Sequence, residues 1–287
     1  MKILVIGASG LVGSHCLSLF KNKGFEARGT YLNYNLAGTS FFDPTRCFSE
    51  IKLNDVVFEP DVIVHCGALT NVDYCETHVA ESYLSTVTST KHIVEYSKKN
   101  AVKLIYLSTD YIFDGKKGPY AEDDVSNPLN IYGKHKLEAE DSVKQLDDFL
   151  IARITNVYGE EDRNKNFLAR LLISLATNEE KTIDLPTDQF ATPIYAGDIA
   201  KMLWHLIADG KNGIYNLAST DYLSRYQFGC RVKFHFKENK NLILNPISTS
   251  LINQSATRPL TGGLSNVKFS TEYPHFLFTS IDNYIKK

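Results

Sequence analysis

Charge of one sign is missing from this 287-residue chain: 31 Lys and Arg stand against 33 Asp and Glu, a net charge of −2. So balanced a composition offers no broad attraction to nucleic acid or to an anionic membrane surface, and no basic run interleaved with aromatics marks a nucleic-acid face. A local basic pocket for a phosphate remains compatible with it. Long apolar runs are missing too. None approaches the ~20 residues of a membrane span. At the start, Met1-Lys2 leads into Ile3–Ile6, an apolar run too short for a secretory leader, so none is expected. Cysteine is sparse: Cys16, Cys47, Cys66, Cys75 and Cys230 are odd in number, and none forms a CxxC spacing. Free thiols in a reducing cytoplasm are the expectation. His65-Cys66 and Cys75-Glu76-Thr77-His78 bring ligand types together, but the first pair merely ends an apolar run and no four-ligand spacing emerges, so no metal is expected. Repeats, low-complexity tracts and Gly/Ser linkers are absent as well.

What is present is an ordinary globular composition, 43% hydrophobic and 22% charged, enough to bury a sizeable core. Short apolar runs at Ile3–Ile6, Phe25–Tyr31, Asp61–His65, Val102–Leu107 and Phe149–Ile154 alternate with helical stretches at Leu11–Asn22, Ala80–Lys99 and Lys134–Gln145. Continuous rather than alternating apolar strands predict a parallel sheet covered on both faces, an α/β doubly wound fold. Beyond Arg153 the pattern changes. Phe167–Ala176 and Ala196–Ile207 read as helices, Gly213–Leu217 as a strand, Leu242–Leu244 as strand or loop, and Ser280–Lys286 as a last helix. The expected division is a dinucleotide-binding part over residues 1–155, rejoined by segments near 190–217. Residues 156–287 form mainly a small, intertwined substrate lobe.

Gly7-Ala8-Ser9-Gly10-Leu11-Val12-Gly13 falls between the first strand and the first helix. Glycines there permit a tight turn and close backbone approach, while the helix N-terminus offers free N–H groups and a positive dipole to a pyrophosphate. The spacing is GxxGxxG rather than GxGxxG, which resembles the short-chain dehydrogenase/reductase superfamily. In its extended branch an Asp soon after the second strand holds the adenine, and Asp43-Pro44 stands in that place. An acid about twenty residues past the glycines favours NAD. The stretch Arg28–Asn33 has none, and its one charged residue is Arg28, which tilts the reading towards NADPH with NADH as the alternative.

The chemistry is concentrated in Leu107-Ser108-Thr109-Asp110-Tyr111, at the carboxyl end of the fourth predicted strand, and in Tyr132-Gly133-Lys134-His135-Lys136. Ligands of open α/β sheets bind outside that edge. Tyr132 and Lys136 are four apart and share one face of a helix. A cation beside a phenol lowers the tyrosine pKa from ~10 towards working pH, which suits a general acid for carbonyl reduction. On this reading Tyr132 protonates a ketone oxygen, Thr109 donates a hydrogen bond to it, and Lys136 holds the nicotinamide ribose.

From end to end the chain resembles the dTDP-4-dehydrorhamnose reductases and their relative, the regulatory beta subunit of methionine adenosyltransferase. The resemblance lies in GASGLVG, HCGALTNVDYCE (His65–Glu76), LSTDYIFDG (Leu107–Gly115), GPYAEDD (Gly118–Asp124), PLNIYGKHKLEAE (Pro128–Glu140), DQFATPIYAGDIA (Asp188–Ala200) and ATRPLTGGLSNVKF (Ala256–Phe269). It implies reduction of a nucleotide-linked 4-keto-6-deoxy sugar, as in dTDP-rhamnose and polysaccharide biosynthesis, by Thr109, Tyr132 and Lys136. It implies cofactor contacts from Gly7, Ser9, Gly10, Leu11, Val12, Gly13, Asp43, Pro44, Cys66, Gly67, Ala68, Tyr132 and Lys136. Asp110, Tyr111, Gln189 and Arg258 would line the substrate side, where Arg258 could grip a diphosphate through two oxygens. A homodimer is also within the family's range. Two departures stand out. Asn156 takes the place of a family Trp, and Ser85 or Thr86 that of a helical Asn. The Asp-Glu pair of the related 4,6-dehydratases is missing, since Tyr111 follows Asp110, and epimerases usually carry small residues at the Asp110 position. The alternative from another class is a non-catalytic, NADP-binding regulatory subunit.

Overall fold

The computed structural model describes residues 1–177, 180–236, 238 and 241–286, and the remaining positions of the expected second lobe lie outside the described residues. Seven parallel strands make the central sheet: β1 (Lys2–Ile6), β2 (Glu26–Tyr31), β3 (Thr39–Phe41), β4 (Val62–His65), β5 (Lys103–Thr109), β6 (Phe149–Ile154) and β7 (Gly213–Asn216). Their order is β7-β6-β5-β4-β1-β2-β3. The chain therefore runs outward from β1 to β3, then returns to the other side of β1. That reversal opens a crevice at the carboxyl ends of β1 and β4, the position where doubly wound sheets bind ligands.

Successive strand residues point to opposite faces, and both faces are apolar. Ile3, Val5, Val64, Ile105 and Leu107 face one core, completed by Cys16, Leu17 and Phe20 of α1 (Leu11–Asn22) and by Met202, Leu203 and Leu206 from the helix Ala196–Ala208. Leu4, Ile6, Ile63, Tyr106 and Ile151 face the other, with Ile93 and Val94 of α2 (Ser89–Asn100) and Ala139 and Val143 of α3 (Ile131–Val143). Each fully buried Leu or Ile contributes about 1.5–3 kcal/mol, so the sheet core dominates the placing of the site. A third cluster, around Leu168, Leu171, Phe228, Val232 and Ile281, gives the C-terminal part a core of its own.

Two features differ from the sequence reading, and a third settles an alternative it left open. The helix expected over Ala80–Lys99 is broken into Val79–Tyr83, a π-helical turn at Leu84–Thr88, and α2. A helix at Arg225–Phe234 carries no apolar periodicity, but Ser224 and Gln227 start it with a reciprocal capping box. Lys181–Pro186 and Leu242–Ile247 pair in parallel outside the main sheet, so Leu242–Leu244 is strand. None of the helices among the described residues is long and apolar enough to cross a membrane.

Candidate active site

The glycine-rich turn closes the crevice from one side. Gly7 has φ +79, and a Cβ on it would sit 2.9 Å from the Gly67 nitrogen. A Cβ on Gly13 would lie 2.3 Å from the Gly7 carbonyl oxygen. These two glycines serve the fold's own packing. Gly10 differs: its missing Cβ would meet only the Gly7 oxygen at 3.4 Å and the Arg163 guanidinium at 3.9 Å. It is the N-cap of α1, and no side chain caps the helix there. Free N–H donors therefore face open space at the positive end of the helix dipole, and the cradle fits a phosphate. Ser9, Gly10, Leu11 and Val12 are partly exposed around it, as are Cys66, Gly67 and Ala68 across the crevice. Asp43, beyond β3, has a carboxylate that accepts from the Thr45 N–H and hydroxyl at 3.0 and 2.6 Å and meets Arg46 at 3.1 Å. Pro44 is buried, and its carbonyl accepts from His92.

The reacting groups sit beyond the end of β5. Asn130 caps α3 by accepting from the Gly133 N–H at 2.8 Å, which fixes Tyr132 and Lys136 in the first turns. Thr109 lies close enough to the Tyr132 phenol to ease its ionisation, and the Thr109 hydroxyl oxygen accepts from the Tyr111 N–H at 3.2 Å. Burial pushes the Tyr132 pKa well above the usual phenol value; Thr109 opposes this, and Asp110 and Tyr111 add to it. Lys136 is buried, donates to the Leu107 carbonyl, and lies 4.0 Å over the Tyr106 ring. Burial lowers its pKa to about 7 against the pull of Glu140 and Cys66. Beneath it, burial first and the Lys136 charge second hold His65 neutral, lowered to about 3. Ser85 and Thr86, the two candidates for the place of the family's helical Asn, both lie in the π turn, and the Thr86 hydroxyl is buried without a partner among the described residues.

Five of the residues expected near the substrate converge unevenly. Asp110, Tyr111, Asn156 and Gln189 line one cleft, with Arg225 and Pro259. Asp110 is buried and accepts from the Thr155 hydroxyl at 2.7 Å and the Gly263 N–H at 3.2 Å; burial raises its pKa and these bonds oppose the rise. It thus also ties the sheet edge to the C-terminal loop. Arg258 does not line that cleft: its guanidinium grips Asp73 at 2.6 and 3.4 Å. It remains close enough for its charge to act on both Tyr111 and Arg225.

Arg225 is the cleft residue that the sequence reading missed. It opens the capped helix Arg225–Phe234, donates to Asn156 Oδ1 at 3.1 Å, and stacks its guanidinium 4.5 Å over Phe167. The one signal for it was Ser224-x-x-Gln227, which announces a helix start and so a side chain pinned at the helix mouth.

Known proteins resemble the chain along nearly its whole length. The family model described as RmlD substrate binding domain matches residues 1–279. A dTDP-4-dehydrorhamnose reductase from Aggregatibacter actinomycetemcomitans is 29% identical over 284 residues, covering 95% of this chain and 93% of that one. The methionine adenosyltransferase 2 subunit beta of Danio rerio is 28% identical over 266 residues, covering 90% and 80%. A solved dTDP-4-dehydrorhamnose reductase from Clostridium acetobutylicum superposes with a TM-score of 0.85 at 26% identity, covering 100% of this chain and 99% of that one.

Proposed function

The chain belongs to the RmlD substrate binding domain family, and from that premise we propose that it reduces the keto group of a nucleotide-linked 4-keto-6-deoxy sugar, as a dTDP-4-dehydrorhamnose reductase does. NADPH is the reductant, with NADH as the alternative. The observation that carries this reading is the meeting of Tyr132 and Thr109 between the open Gly10 cradle and the arginine-bearing cleft.

When bound, the dinucleotide supplies a hydride to the carbonyl carbon. Tyr132 gives its phenolic proton to the carbonyl oxygen, so it must be protonated beforehand, and its burial in the free protein keeps it so. Thr109 donates a hydrogen bond to the same oxygen and stabilises the charge developing there. Lys136 binds the nicotinamide ribose and steadies the phenolate left on Tyr132. Ser9, Gly10, Leu11 and Val12 would hold the pyrophosphate on a turn kept tight by Gly7 and Gly13, with Cys66, Gly67 and Ala68 opposite and Asp43 and Pro44 at the adenine. Tyr111, Asn156 and Gln189 contact the sugar nucleotide, Asp110 fixes the loop over it, and Arg225 receives its diphosphate, with Arg258, held by Asp73, adding its charge from beside the cleft. Residues 1–155, rejoined by segments near 190–217, carry the cofactor, and 156–287 mainly the substrate. The setting is cytoplasmic, and a homodimer is the assembly to look for.

The test is oxidation of NADPH and NADH, followed at the nicotinamide absorbance, with a dTDP-4-keto-6-deoxy sugar generated in situ. Sugar-dependent oxidation that vanishes in Tyr132→Phe supports the reading. Tight cofactor binding with no oxidation would instead favour the regulatory-subunit reading suggested by the Danio rerio relative, and a stoichiometric adenosyltransferase in a pulldown would establish it.

A further inference from the structure

The stretch Arg28–Asn33, which runs through the end of β2, holds no acid to bind a 2′-hydroxyl. Arg28 is not placed for the task. It lies within β2, in register with Leu4, and borders a surface hollow with Phe25 and Glu26 at the strand's start, away from the glycine turn. A different cation stands beside that turn. Arg163, from the loop between Gly159 and Asn166, brings Nη2 to 3.9 Å from where a Gly10 Cβ would be. Its guanidinium carbon lies 5.3 Å from the ring centre of Tyr34, three residues past the end of β2.

Its donors are unspent. Nε is buried without a partner, and among the described residues no hydrogen bond or ion pair engages the guanidinium. The neighbouring acids are occupied elsewhere. Glu161 accepts from the Asn166 N–H and side-chain amide, Asp162 from the Tyr34 hydroxyl, and Glu160 from the Tyr195 hydroxyl. The Glu160 carbonyl also bonds to His15 of α1 at 3.0 Å, and Asn166 donates to the Gly159 carbonyl at 2.9 Å, so the loop is braced against the cradle before any ligand arrives. A planar fork with free donors, held beside an open phosphate cradle, suits a phosphate dianion better than any neighbour it now has.

We infer that Arg163 is the ligand of the cofactor's 2′-phosphate and thereby selects NADPH over NADH, an inference that rests on the reductase reading above. A residue from the second half of the chain thus reads the cofactor bound by the first half.

The experiment measures dissociation constants for NADPH, NADH, adenosine 2′,5′-bisphosphate and 5′-AMP on the full chain and on Arg163→Gln and Arg163→Lys. Charge-assisted bonds of this kind correspond to about 10–100-fold in affinity. Arg163→Gln should weaken NADPH and the bisphosphate by that factor while leaving NADH and 5′-AMP within about twofold, the scale expected for a ligand that never met the guanidinium. Arg163→Lys should fall between. Retained NADH binding also shows that the variant is folded, and if Arg163→Gln does not fold, Arg163→Lys decides by the same ratio. Equal loss for both nucleotides would place Arg163 on the shared pyrophosphate or in loop support, and no change would remove it from the site; either overturns the inference. A wild-type chain that binds neither dinucleotide would overturn the cofactor reading itself, and this inference with it.

Discussion

Lys136 donates a hydrogen bond to the carbonyl of Leu107 and holds its ammonium 4.0 Å over the ring of Tyr106. In the free protein, the neighbour that eases ionisation of Tyr132 is Thr109, and burial outweighs it. Tyr132 is therefore stored as a neutral acid, the form a ketone reduction consumes. Burial holds the Lys136 pKa at about 7, so near neutral pH it sits close to its own titration.

This arrangement makes a stability prediction. Lys136 has a folded pKa of about 7 against about 10.4 in an unfolded chain. Between those values the unfolded chain binds the extra proton, so the residue's contribution to stability rises with pH; it is complete above the unfolded value and lost as pH falls to about 7. Lys136→Met should therefore melt higher than the wild type at pH 6–7, with the difference shrinking through pH 10, while its turnover and nicotinamide binding fall. Parallel melting curves at all pH values would place the lysine's charge in solvent.

Tyr132→Phe removes one hydroxyl from the site and leaves the cradle untouched. Turnover should fall by about 10²–10⁴-fold, as for loss of a general acid, with NADPH affinity nearly unchanged. Single-turnover kinetics with a fluorescence titration separates the two. Unaltered turnover would move the proton donor elsewhere, with Tyr111, whose ring lies 5.7 Å away at 75°, the first group to examine.

These predictions draw on what the sequence made legible and what it did not. Strands β1, β4, β5 and β6 were visible because each is a short, continuous apolar run buried on both faces, and the Tyr132/Lys136 spacing needs only helical periodicity. β3 was not visible, because three residues with exposed or half-exposed side chains carry no pattern. The π turn at Leu84–Thr88 was hidden for another reason: its i→i+5 bonds widen the turn and change the helical phase without changing composition. Arg163 and Arg225 escaped because each reaches its site from a separate segment, and no local spacing encodes that meeting. Arg258 was named from the sequence for the substrate side, but not its ion pair with Asp73, 185 positions away.

The glycines of the turn should separate by purpose. Gly13→Ala places a carbon 2.3 Å from the Gly7 carbonyl, a backbone atom that cannot yield, so it should lower the melting temperature sharply. Gly10→Val meets no protein atom closer than 3.4 Å at its Cβ and should fold, yet fill the space above the helix N-terminus and abolish dinucleotide binding. Melting curves with and without NADPH test both. A Gly10→Val protein that still binds would move the pyrophosphate off this turn.

The helix that carries Tyr132 and Lys136 is anchored by a buried ion pair, and that anchor should be felt in the chemistry. Arg153 of β6 donates from Nε and Nη2 to the two Glu140 oxygens of α3 at 3.0 and 2.9 Å, and its remaining nitrogen donates to the Glu122 carbonyl at 2.8 Å. Both side chains are almost wholly buried, at 3% and 0% exposure. Removing one partner leaves a buried charge unpaired, so Glu140→Leu should destabilise the fold by about 3–5 kcal/mol, and the double variant with Arg153→Met by less than the two single changes together. Denaturant titrations of the three variants measure the coupling. Glu140 also supports the charged form of Lys136, so its loss should move the Lys136 titration further below 7. A Glu140→Leu protein that loses stability but keeps the wild-type pH dependence of nicotinamide binding would confine the pair to holding the helix. A shifted profile would make it part of how the site sets its lysine.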